Sequence, residues 1–272
     1  MAQRQVHTYT CTPYGEPPGK PFSVRVAALL AAVLLASPTW AGPPFLTDDP
    51  TPVEKGHWEV YGFTSRVDAD EDTGGTLAGV EVNYGAARNL QLHLIVPLAF
   101  DKPPDTPSAT PLATGLGDIE LGVKYRLIEQ AGSSWRPSIG VFPLLEVPTG
   151  QASRGLGEGS VRGFIPVWLE RDFGPWTTYG GGGLWLNTAE GKRNSWFVGW
   201  MLQRQITHRL ALGGEVFHQT ADDADEPSAT GFNIGAIYDF SEHYHLLLSA
   251  GRGLHNLPAN RFAYYIALQH TF

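Results

Sequence analysis

Residues 117–127 read Gly117-Asp118-Ile119-Glu120-Leu121-Gly122-Val123-Lys124-Tyr125-Arg126-Leu127, and this stretch decides the fold. Ile119, Leu121, Val123, Tyr125 and Leu127 fall on one face of an extended chain. Asp118, Glu120, Gly122, Lys124 and Arg126 fall on the other. That is the period of a β-strand. A soluble sheet would turn such a charged face to water. A membrane barrel would turn it inward, because a lipid-facing Arg or Lys at the midplane costs about 2–4 kcal/mol. The surrounding chain separates the two.

Leu90–Phe100 puts Leu90, Leu92, Leu94, Val96, Leu98 and Phe100 on one face, and Ser195–Gln205 does the same with Trp196, Val198, Trp200 and Leu202. Thr230–Phe240 and Arg261–Phe272 alternate in the same way. Soluble strands usually run about 5–6 residues, whereas a tilted strand crossing a bilayer needs about 9–11. Strand length argues against the rival, a two-sheet soluble sandwich. Twelve segments are expected, near 57–66, 76–85, 90–100, 117–128, 135–148, 159–170, 176–187, 195–205, 209–220, 230–240, 244–253 and 261–272. Their connections alternate short (86–89, 129–134, 171–175, 206–208, 241–243) with longer and more polar (67–75, 101–116, 149–158, 188–194, 221–229, 254–260). An even strand number, short turns on one side and long loops on the other are the plan of a bacterial outer-membrane barrel. The expected fold is all-β, a closed antiparallel transmembrane barrel over 57–272. Aromatics near strand ends, among them Trp58, Tyr84, Phe100, Trp168 and Phe272, are expected to anchor at the membrane interfaces.

The amino terminus fits export. Val26–Leu35 is a compact apolar run preceded by Lys20 and Arg25 and followed by Ser37-Pro38-Thr39-Trp40-Ala41. This predicts a signal peptide over 1–41, cleaved after Ala41, and the run is too short to span a bilayer as a helix. Residues 42–56 then form a short periplasmic lead. Cleavage removes Cys11, the single cysteine, and moves the formal charge from −8 to about −10. An acidic chain of this kind offers no basic face for nucleic acid. Outer-membrane lipid, lipopolysaccharide and the barrel-assembly machinery are the expected partners.

Two motifs resemble a family of outer-membrane transporters labelled "MetA-pathway of phenol degradation". One is Phe45-Leu46-Thr47-Asp48-Asp49-Pro50 with Gly56-His57-Trp58-Glu59 after it; the other is Gly117–Arg126. The resemblance extends over 45–272. It implies a barrel and suggests passage of small, aromatic or hydrophobic compounds, and it supplies no binding residues.

Alternation directs thirteen charges inward: Glu59, Glu81, Asp118, Glu120, Lys124, Arg126, Arg136, Glu146, Arg162, Arg209, Glu215, Asp239 and Arg261. They either line a selective lumen or pair into a network that fills a narrow barrel, with Glu120 or Glu146 as partners for Lys124 and Arg126. Tyr264, Ile266, Leu268 and Phe272 at the carboxyl end resemble the signal that assembly machinery reads.

Other motifs fail on their chemistry. Gly180–Gly183 lacks the lysine, the hydroxyl residue and the following helix of a phosphate loop. Asp68, Asp70 and Asp72 begin a calcium loop, but Thr73 and Gly79 stand where its glycine and glutamate belong. His243 and His245 share a face without a third ligand. Gly157-Glu158-Gly159-Ser160 misses the hydrolase elbow by one position and has no evident histidine base. No enzyme, metal or cofactor is expected. A channel is the favoured function. A structural or surface-interaction barrel comes second, and a lipid-acting outer-membrane enzyme third.

Overall fold

The computed structural model describes residues 43–70, 72–103, 112–132, 135–223 and 227–272. The expected signal peptide lies outside them. Twelve antiparallel strands close into one barrel: β1 (Trp58–Asp68), β2 (Thr73–Ala87), β3 (Leu90–Lys102), β4 (Ala113–Leu116 and Ile119–Ile128), β5 (Ser138–Val141 and Leu144–Val147), β6 (Arg162–Phe173), β7 (Trp176–Asn187), β8 (Ser195–Thr207), β9 (Leu210–Gln219), β10 (Ala229–Asp239), β11 (Tyr244–His255) and β12 (Phe262–Thr271). Each strand pairs with its sequence neighbours, and β1 pairs with β12 through Val60↔His270 and Phe63↔Ala267 to close the ring. Closure leaves no sheet edge, as a wall in lipid requires.

The strand count and order follow the alternation, with local departures. β4 begins at Ala113, earlier than expected, and is interrupted at Gly117-Asp118. β5 begins at Ser138 and is interrupted at Phe142-Pro143, where the proline has no N–H for the ladder. The connection before β5 is therefore longer than expected. The one between β1 and β2 shrinks to 69–72, because both strands run further.

β8 shows how the wall divides. Trp196, Val198, Trp200 and Leu202 are 45–56% exposed on the outside, while Ser195, Phe197, Met201 and Gln203 are at most 7% exposed inside. The same partition recurs around the ring, leaving a continuous apolar belt. Soluble monomers rarely expose an apolar patch beyond a few hundred Å², so this belt faces hydrocarbon. Trp168 is the exception among the expected interface anchors: it points inward and is 1% exposed. The glycine run lets rings lie flat on both sides of β7, with Trp200 outside Gly180 and Trp168 inside Gly181, whose φ is +151°. One expected result follows. The protein will leave membranes only in detergent and will run as a heat-modifiable band on an unboiled gel. Recovery in a detergent-free soluble fraction would refute the membrane-facing wall.

Candidate functional site: a lumen crossed by the amino-terminal segment

The segment ahead of β1 does not stand clear of the barrel. It runs through the lumen, from Pro44 against β11 to Val53 against β3. At one side Ser249 on β11 donates to the Pro44 carbonyl, and the Phe45 ring packs with Tyr179 and Met201. Gly235 makes room for that ring: a Cβ there would lie 2.8 Å from Phe45 Cζ. Glu215, 2% exposed on β9, accepts the Leu46 and Thr47 amides at 2.9 and 2.8 Å and the Asn233 side chain at 2.6 Å. Backbone removed from water needs such partners. Thr47 then passes under β8, where a Cβ on Gly199 would fall 2.1 Å from its Oγ1. On the far side the Val53 amide donates to Gln91 on β3 at 2.9 Å. The segment leaves the lumen when the Gly56 amide bonds to the Gly85 carbonyl at 2.7 Å.

Lys124 anchors the middle of this crossing. Its Nζ lies 2.9 Å from Asp48 Oδ1 and 3.2 Å from Asp49 Oδ2, with the Lys124 and Asp49 side chains at most 4% exposed. Burial works to raise the Asp48 carboxyl, but Lys124 and bonds with Asp49 outweigh it and hold Asp48 below the usual range. Burial drives Asp49 well above that range against the pull of Lys124, with Asp48 and Glu170 adding to the rise. The two resemblance motifs meet here, since Asp48 and Asp49 belong to the first and Lys124 to the second.

The inner wall has two characters. From β5 to β9 it is aromatic: Phe142, Phe164, Trp168, Phe197 and Phe217 are buried together, with Trp185 stacked on Phe164 at 4.6 Å. From β1 to β4 it is polar. His93 joins Asn83 at 2.7 Å and Glu120 at 2.9 Å, the Asn83 amide donates to Glu81 at 2.8 Å, and Tyr61 donates to Glu59 at 2.8 Å.

The long connection between β5 and β6 folds inward over this lumen. Asp118, at the break in β4, accepts the amides of Gly150 and Glu158 at 2.8 and 2.7 Å, and Thr149 donates to the Gly117 carbonyl at 2.7 Å. Leu156 at the tip is 3% exposed. Arg162 pairs with Glu146 at 3.5 Å and with Glu158 at 2.8 Å, its guanidinium 4.7 Å from the Trp185 ring centre.

Of the thirteen expected inward charges, Glu59, Glu81, Glu120, Lys124, Glu146, Arg162 and Glu215 stand on the lumen side of strands, and Asp118 holds the infolded loop. Arg126 lies near the short-turn end, 3.3 Å from Glu129 and within 3.4 Å of Asn89, and Asp239 ends β10 with His245 at 2.7 Å. Three assignments are corrected. Arg136 is exposed in the β4–β5 connection, Arg209 is exposed in the turn before β9, and Arg261 is exposed before β12 and paired with Asp70. Alternation loses its hold where the ladder ends, and these side chains turn to the wet rim. The expected partners of Lys124 are corrected as well: they are Asp48 and Asp49. His243 sits in a turn, its ring bonded to the Thr271 carbonyl, while His245 is buried in β11, so the two do not share a strand.

At the carboxyl end Ile266, Leu268 and Phe272 face outward, 42–54% exposed. The Phe272 and Trp58 backbones exchange two hydrogen bonds at 2.8 and 3.0 Å, so the last residue fastens the first strand.

A closed twelve-strand wall, apolar outside, with a part-aromatic lumen crossed by its own leading segment, defines an outer-membrane β-barrel of the porin type. The chain belongs to the family described as "Putative MetA-pathway of phenol degradation", whose model matches residues 41–268. Among solved structures it is similar to the COG4313 outer membrane channel from Pseudomonas putida F1. That match has 17% identity and a TM-score of 0.69, covering 86% of this chain and all of that one. It is also similar to the KdgM porin (10% identity, TM-score 0.54, 79% of this chain and 99% of that one) and to the NanC porin (9%, 0.52, 78% and 98%). No protein of curated function matches the sequence.

Proposed function

We propose that the barrel is a channel for small aromatic compounds, with the aromatic arc from Phe142 to Phe217 as the surface on which they bind during passage. The observation that carries this is the inward Phe164–Trp185 stack with Phe197 and Trp168 edge-on to Phe164. A closed barrel needs no lumenal aromatics to satisfy its backbone, and such rings attract planar solutes through offset and edge contacts. The segment from Phe45 to Val53 crosses the same lumen, with Thr47 lying against Gly199 of β8. Kinship with a family described by phenol degradation, and a fold shared with channels and porins, support the same reading.

The test is an ion-current measurement in planar bilayers with benzyl alcohol added. The wild type is expected to carry a small current that benzyl alcohol blocks. Ring contacts contribute about 0.5–1.5 kcal/mol each, so Phe164→Ala with Trp185→Ala should weaken the block about tenfold. An unchanged block in that variant would sink the aromatic arc as the solute surface. No current in the wild type would favour a structural barrel, whose lumen is filled by its own leading segment.

A further inference from the structure

Among the described residues, basic side chains on the lipid-facing side of the wall stand only near strand ends. On the short-turn side Arg171 and Arg204 lie over the Phe173 and Trp176 rings, at 6.0 and 5.2 Å. On the long-loop side Arg252 of β11 is different. It alternates outward with Leu248, Ala250 and Leu254 and is exposed, and its guanidinium makes no hydrogen bond, ion pair or ring contact among the described residues. A strand rise of about 3.3 Å per residue at a tilt of about 40° puts it about 20 Å above Tyr244, at the short-turn end of the same face. The apolar band of such a barrel is about 25 Å tall, so Arg252 reaches the outer interface, where a charge costs little.

Its surroundings are a fixed rim. Phe232 of β10 stands directly opposite Arg252, and the Gly251↔Ala263 pair brings Phe262 of β12 beside it on the other side. One strand further, Arg66 of β1 faces Tyr264 across the ladder. Arg66 pairs through Nε with Asp68 at 2.6 Å, and Arg261, just before β12, pairs with Asp70. The two loops are tied together. The Arg261 amide donates to the Asp68 carbonyl at 2.7 Å, and the Asp70 amide donates to the Pro258 carbonyl at 2.8 Å. Two of the three arginines are balanced by two aspartates, and Arg252 gives these five groups a net positive charge. Arg66 and Arg252 flank β12, about 10 Å apart across the sheet. Beneath them the wall is apolar, with Ile234, Leu248 and Ile266 turned to hydrocarbon.

A soluble anion would leave that apolar wall uncovered, and an uncharged lipid would leave Arg252 without a partner. The long loops put this end of the barrel outside the cell, where the leaflet is built of phosphorylated glycolipid. We propose that the outward face of β10, β11, β12 and β1 at the long-loop end binds that glycolipid, lipid A, with Arg252 as the direct phosphate ligand. The planar guanidinium matches phosphate oxygens with two parallel N–H donors, which a lysine could not do. Arg66 uses only its Nε on Asp68, so its terminal nitrogens are left for a second phosphate. The acyl chains lie along Ile234, Leu248 and Ile266. The site is on the outer wall and is independent of what crosses the lumen.

The probe is lipid A carrying both phosphates, added to folded protein purified from outer membranes and read by native mass spectrometry. The wild type is expected to retain one molecule, and Arg252→Gln to bind it at least about tenfold more weakly, the scale of a lost hydrogen bond to a charged group. Arg204→Gln, at the opposite rim, is expected to bind like the wild type. Equal binding by folded Arg252→Gln overturns the proposal. If that variant gives no folded band, the wild type decides: lipid A stripped of its phosphates should be retained far less, and equal retention overturns the proposal as well. Phosphatidylglycerol, anionic but without the glycolipid's second phosphate, is expected to be displaced by lipid A. Equal retention of the two would mean a site for any anionic lipid and would overturn the assignment to lipid A.

Discussion

Lys124→Gln is expected to lower stability by about 3–5 kcal/mol, the usual cost of removing one partner from a buried ion pair. The glutamine strands Asp48 and Asp49 inside the barrel, where Asp49 is fully buried. With its anchor gone, the crossing segment should swing away and the ion current should rise. Heat-modifiable mobility across a temperature series reads the first effect, and a bilayer recording reads the second. Adding Asp48→Asn and Asp49→Asn should recover most of the lost stability, since amides leave no stranded charge. A single variant that melts like the wild type would mean that Lys124 does not anchor the segment. Loss of stability with no current in either protein would favour the structural reading. Arg126→Gln is the contrast: its partner Glu129 is half exposed, and such rim pairs contribute about 0–1 kcal/mol.

Deleting Phe272 is expected to deplete the folded band severely, with unfolded protein accumulating instead. Its backbone exchanges two hydrogen bonds with Trp58, and its ring stacks on His270 at 4.9 Å. Until the ring closes, β12 and β1 are both open edges, so this fastening removes the last unpaired strand. Phe272→Leu keeps the backbone bonds and an apolar outward side chain. If it folds normally while the deletion does not, the lost closure accounts for the defect. If Phe272→Leu fails as well, the aromatic ring itself is read during assembly. Normal folding of the deletion would dispose of both explanations.

Most of the wall was legible in advance because its information is local. A strand in a membrane barrel sees lipid on one side and lumen on the other, so residues two apart carry the same label, as in Trp196, Val198, Trp200 and Leu202. Where the ladder ends the label ends too, and Arg136, Arg209 and Arg261 were misplaced for that reason. Pro143 and Gly117 also carried local signals for the breaks in β5 and β4, in the form of a missing N–H and a missing side chain.

The contents of the lumen were not legible in that way. Asp48 and Asp49 stand some seventy-five residues from Lys124, and no periodicity joins an acidic doublet in a loop to one lysine on a strand. The two motifs could be noticed separately, but their contact could not. Inward glycines such as Gly199 and Gly235 read as weak points of strands until the Thr47 and Phe45 side chains are seen against them. The sequence by itself determined the barrel, its twelve strands and the inward or outward sense of nearly every strand residue, because alternation between two solvents is a nearest-neighbour property. Only the tertiary structure decided that the leading segment lies inside and which charges it binds. It also decided that the aromatic side chains gather on one arc. Each of these depends on which strands closure brings side by side, and that is a property of the whole ring.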